Sequence, residues 1–113
     1  MRPIEWSASK DFTLDGFRAW LLAQPETSIV GLVAVAGRCP LACWITDRSG
    51  KSCVVGISSY RCPTWYDKRP LPEWAWRFAL LLDHAYLTDA HLRVAIGRPV
   101  RREQVLAVLE QVM

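Results

Sequence analysis

Long apolar runs are missing from this 113-residue chain. The longest clean one, Ile29 to Ala36, falls far short of the roughly 20 residues a membrane-spanning helix requires, so a membrane partner is not expected. Charge of one sign is also scarce: the formal net charge is +3, too small to name nucleic acid or a membrane surface as a partner. Histidine occurs only at His84 and His91, and the chain has no Gly-rich phosphate loop, nucleophile elbow or metal-ligand helix motif. These absences argue against catalysis, and no cofactor is implied. The first ten residues have no apolar h-region, with Glu5 where one would run, which predicts a cytoplasmic protein. In that setting the four cysteines are expected as reduced thiols. Lysine is confined to Lys10, Lys51 and Lys68, leaving the basic set almost wholly arginine.

What the chain does have is material for a core. Its hydrophobic fraction is 51% and it carries six tryptophans, more than a fold of this length needs, and Trp is rarely buried completely. The length fits one domain, residues 1–113, with residues 1–12 as an N-terminal arm.

Along the chain, Thr13 predicts a helix cap ahead of Leu14, with Phe17 and Leu21 on its apolar face and Gln24-Pro25 as its stop. Ile29 to Ala36 predicts a buried strand. Pro40 suits a first helical position, making Cys39 the cap and Gly50 the left-handed terminator. Ser52 to Ser58 alternates as a strand, with Cys53, Val55 and Ile57 on one face. Tyr60 to Pro72 predicts a loop. Pro72 then opens the strongest helix, with Trp74, Phe78, Leu81 and Ala85 as its stripe and Ala75 and Leu82 flanking it. Residues 91–96 are ambiguous between strand and helical turn, and Arg101 to Met113 predicts a last amphipathic helix. The fold class expected is α+β: a single helix-rich domain with three or four helices around a small sheet.

Several constellations bear on function. Cys39 at a helix N-terminus, beside Arg38 and followed by Cys43 at i+4, has the setting that depresses a thiol pKa and makes a nucleophile; buried cysteine equally serves as small apolar filler. Zinc is not expected, because the cysteine spacings are irregular and Cys53 falls inside a predicted strand. Asp83 and His84 are adjacent on a helix and point about 100° apart, so they do not form an acid–base couple. Arg93, Arg98, Arg101 and Arg102 cluster near the last helix and could contact phosphates, although arginine at a helix N-terminus opposes the dipole and no nucleic-acid signature is present. Trp65, Tyr66, Trp76 and Arg77 are of the types enriched in binding hot spots; the alternative is a loop folded over the core with its Trp rings as a lid.

The motifs Phe17, Trp20-Leu21, Pro25, Gly31, Cys39-Pro40-Leu41-Ala42 and Leu71-Pro72-Glu73-Trp74-Ala75 resemble the shared pattern of a family of short, functionally uncharacterised bacterial proteins, many of them cyanobacterial. The resemblance covers residues 12–85 and carries no activity, so it transfers no catalytic residue. The expectation is a non-enzymatic interaction or regulatory module that binds a protein partner or itself. Nucleic-acid binding through residues 93–102 is the alternative, and a thiol-based redox function at Cys39 comes third.

Overall fold

The computed structural model describes residues 12–56, 58–61, 68–87 and 96–113. Helix α1 spans Leu14–Ala23, and Thr13 caps it: its Oγ1 accepts the Gly16 amide at 3.0 Å, satisfying one of the donors a helix start leaves free. Helix α2, Pro40–Ser49, begins at Pro40 with Cys39 as its cap and ends on Gly50 at φ 74°, a left-handed position that glycine takes without strain. Helix α3, Glu73–Tyr86, starts after Pro72. Helix α4, Arg102–Glu110, lacks a conventional cap; instead Gln104 Oε1 accepts the Arg101 amide at 2.8 Å.

Two small antiparallel sheets accompany the helices. Strand β1 (Ile29–Leu32) pairs with β5 (Pro99–Arg101), with Gly31 opposite Val100 and an irregularity between Ile29 and Gly31. Strands β2 (Val54–Val55), β3 (Ser59–Arg61) and β4 (Arg69–Pro70) form the second sheet in that order. Among the described residues this makes four helices with two antiparallel sheets, an α+β fold.

Helices α1, α3 and α4 pack on one another, and α2 lies against β1 and β2. Between them Phe17, Trp44 and Phe78 are fully buried, with Trp74 half-buried beside them. Ring centroids lie 5.1 Å apart for Phe17–Trp44, 5.2 Å for Phe17–Phe78 and 6.2 Å for Trp44–Trp74, separations at which edge and tilted contacts add to burial. Phe12, at the end of the expected arm, is buried in this cluster 5.3 Å from Trp44. Trp20 faces the same rings and donates Nε1–H to Asp47 Oδ2 at 2.7 Å, tying α1 to α2.

The start of α4 clamps the α1–β1 connection. Thr27 sits at φ 63°, a genuine outlier for a β-branched residue. Its amide donates to the Glu103 carboxylate at 3.2 Å, its carbonyl accepts from the Arg101 guanidinium, and the next carbonyl, Ser28 O, accepts the Arg102 amide at 2.9 Å. Arg102 Nη1 donates to Gln24 O at 2.9 Å, supplying a partner for a carbonyl just past the end of α1.

Four expectations change. The apolar run from Ile29 is a strand only to Leu32, because the chain turns at Ala34, where φ is 59°. The segment expected as a loop from Tyr60 contributes β3 and β4; Pro70, which has no N–H to give, is accommodated because β4 is an edge strand. The buried centre of α3 is Phe78 with the flanking Ala75 and Leu82, while Trp74 and Leu81 pack half-buried against the core and Ala85 is exposed, so the buried face is displaced from the expected stripe toward its flank. The expectation of four reduced thiols fails at Cys53, which is disulfide-bonded, while Cys39 and Cys43 are free; that expectation rested on the cellular setting, whereas pairing is decided by proximity in space. Ile57 and the ambiguous segment 91–95 lie outside the described residues.

Candidate functional site

Helix α3 has two unlike faces. Ala75, Phe78 and Leu82 point into the core. On the outer side Trp76 is 37% and Leu80 51% exposed; at i and i+4 they sit one above the other. Arg77 stands beside them in an exposed pair with Glu73 at 3.7 Å, which contributes little to stability at such exposure. Trp20, Trp44 and Trp74 are committed to internal contacts. The other members of the expected patch, Trp65 and Tyr66, lie outside the described residues.

A cavity of about 300 Å³ opens along the same helix. Phe78, Ala79, Leu80, Leu82 and Asp83 of α3 form one wall. The turn Ala34–Ala36 and the start of α2, Cys39 to Leu41, form the other, with Val55 and Gly56 closing an end. Three observations explain why the chain folds this way here. Gly31 lets the backbone of β1 meet the start of α2, since a Cβ there would lie 2.6 Å from Pro40 N. The turn after β1 is pinned by Leu32 N–H to Arg38 O at 2.7 Å and Cys39 N–H to Val35 O at 2.8 Å. Val55 N–H donates to Ala36 O at 2.8 Å, fixing the second sheet to that turn.

The thiols at this wall are quieter than their sequence setting implies. Burial pushes the Cys39 thiol up to about 11, although the Ala42 and Leu41 amides at the start of α2 pull the other way. Desolvation therefore outweighs the helix terminus, disfavouring the thiolate. Cys43 donates its S–H to Arg38 O at 3.3 Å, and burial raises its pKa as well, with the Arg38 charge opposing. Asp83 is raised too, by burial alone.

The basic cluster is largely engaged inside the fold. Arg102, whose side chain is 15% exposed, pairs with Glu26 at 3.8 Å and Glu103 at 3.1 Å besides its bond to Gln24 O. Arg101 holds Thr27 O, and Arg98 lies over the Tyr86 ring at 5.8 Å. Arg93 falls outside the described residues. Guanidinium groups so occupied have fewer donors left for phosphates. Among the described residues no cluster of His, Cys, Asp or Glu could hold a metal, and no helix is long and apolar enough to cross a membrane.

Comparison with protein-family models, with curated proteins and with solved structures finds no match to this chain.

The sequence did not point to the cavity. Besides Cys39, singled out for its thiol, the local signal was Asp83, a carboxylate in the last turn of α3, where the dipole disfavours it.

Proposed function

We propose that the chain is a non-enzymatic interaction module that binds a protein partner or a second copy of itself through the outer face of α3, with Trp76 and Leu80 as apolar anchors and Arg77 at their edge. The observation that carries this reading is the exposure of Trp76 on the same helix that places Trp74 among Phe12, Phe17 and Trp44. An exposed Trp beside an exposed Leu and an Arg is the composition of a binding hot spot.

The test separates two tryptophans of one helix. Trp74→Ala removes a half-buried ring from the aromatic cluster and lowers stability by about 2–3 kcal/mol, below the cost of a fully buried Trp. Trp76→Ala leaves thermal melting nearly unchanged but abolishes self-association in sedimentation equilibrium, or retention of the one polypeptide the wild-type protein captures. Equal destabilisation by both substitutions, or association unaffected by Trp76→Ala, would overturn the reading.

A further inference from the structure

One charged side chain of α3 has no partner among the described residues. Asp83 stands in the last turn of the helix, where free carbonyls disfavour an anion. It borders the cavity between α3, the 34–36 turn and the start of α2. Burial there raises its carboxyl pKa, and no hydrogen bond or ion pair from a described residue offsets that cost. The remaining walls are almost entirely hydrocarbon, supplied by Val35, Pro40, Leu41, Phe78 and Leu82 among others. Cys39 across the cavity is held as a neutral thiol. No cationic side chain lines the space among the described residues. The volume of about 300 Å³ is at the lower end of the range for small-molecule sites.

Each of these features constrains what could enter. Hydrocarbon walls favour an apolar body, since dry apolar cavities take apolar guests. Asp83 is only partly buried, whereas Pro40, Leu41, Phe78 and Leu82 are buried, so the carboxylate stands at the mouth and the apolar surface lies deeper. A carboxylate in that place repels anions, and no described residue of the cavity gives it a cation. An ammonium group supplies both the missing charge and hydrogen-bond donors.

We propose that this cavity is a binding site for a small apolar amine, with its hydrocarbon against Leu41, Phe78 and Leu82 and its ammonium on the Asp83 carboxylate. The site shares Leu80 with the outer surface but not Trp76 or Arg77, and nothing in it depends on a protein partner. A partly buried carboxylate with no partner among the described residues is the kind of local inconsistency that marks function.

The experiment is a titration of the ¹⁵N-labelled protein, followed by amide chemical shifts, with benzylamine and with its uncharged isostere ethylbenzene. Asp83→Asn is nearly isosteric, removes an unfavourable charge and should melt no lower than the wild type, so its fold is not at risk. Expected are saturable shifts at Ala36, Leu41 and Ala79 with benzylamine, weakened at least about tenfold by Asp83→Asn, as loss of a charge-assisted contact implies. Ethylbenzene should bind more weakly and indifferently to that substitution. Ala79→Leu, which fills the cavity from a helical position, should remove both. Absence of saturable shifts, shifts confined to the Trp76 face, or equal benzylamine affinity in the wild type and Asp83→Asn would each overturn the proposal.

Discussion

A single methyl group at Gly31 should be among the most damaging small changes this fold can receive. The Cβ it adds would lie 2.6 Å from Pro40 N, 2.8 Å from Pro40 Cδ and 2.9 Å from Pro40 Cα. None of these atoms can move by rotating a side chain, because Pro40 is the first residue of α2 and its ring is rigid. Relief requires β1 to separate from the start of α2. Val30 and Val33 on one side and Leu41 and Ala42 on the other are buried, and Gly31 is itself paired with Val100. Overpacking typically costs about 1–3 kcal/mol, and a backbone obstruction puts Gly31→Ala at the upper end, about 3 kcal/mol. With a urea m-value of about 1.5 kcal/mol per molar, the midpoint falls by roughly 2 M. The buried ring of Trp44 and the half-buried ring of Trp74 provide the fluorescence signal. Gly37→Ala is the control: its new Cβ meets only Val54 Cγ1 at 3.8 Å, an ordinary contact, so stability should hold or rise by up to about 1 kcal/mol. Equal midpoint shifts for the two variants would refute the close approach of β1 and α2.

The helix ends were the most legible part of the chain, because they are set by chemistry local in sequence. Thr13, Cys39-Pro40 and Gly50 stand at the predicted ends of α1 and α2, and Pro72 immediately precedes α3. The strands were legible only in part. Cys53 and Val55 are buried and Val54 is exposed, as alternation implies, but β5 at Pro99–Arg101 opens on a proline and carries two arginines close by. It is a strand because β1 offers it a partner across the chain, and nothing in its own residues signals that. The displaced buried face of α3 has a similar origin. Trp74 satisfies the periodicity of the apolar stripe, yet Ala75 occupies the core direction, since a small residue there lets the helix approach its neighbours closely.

The candidate site was less legible than the fold because each of its properties is a sum over distant segments. The cavity draws on residues 34–36, 39–41, 55–56, 78–80 and 82–83, and none of these segments alone signals a binding site. Cys39 shows the difficulty most clearly. Local reasoning gave the correct cap and the correct direction for the amides of α2, which do lower its pKa. The burial that reverses the sign comes from packing elsewhere in the fold. The arginines reverse in the same way: Arg101 and Arg102 are adjacent in sequence and look available, but the carbonyls of Thr27 and Gln24 arrive from far along the chain to occupy them.

Three further predictions concern the clamp on α1–β1 and the thiol. Thr27→Asn keeps a side chain that tolerates φ 63° while removing the β-branch, and should raise stability by about 1 kcal/mol in a urea titration; a loss would mean that the Thr27 side chain has a packing role. Hydrogen bonds from its own backbone amide and that of Thr27, aided by Arg102, hold the Glu103 carboxyl below its ordinary value, so its stabilising contribution is present above pH 4.5 and lost as pH falls through the lower folded value. Melting of Glu103→Gln should then be less sensitive to acid than melting of the wild type, and parallel acid profiles would count against the clamp. Cys39 titrates near 11 against an ordinary 9.0, which leaves its thiolate at pH 7 about a hundredfold rarer than that of a free thiol. Alkylation by iodoacetamide, localised to Cys39 by peptide mass spectrometry, should therefore be slow at neutral pH and accelerate toward pH 11. The raised value also means that its contribution to stability is complete below pH 9 and lost as pH rises through about 11. An alkylation profile with its inflection below 9 would show that the start of α2 governs this thiol rather than burial in the cavity wall, and would return Cys39 to the class of reactive nucleophiles.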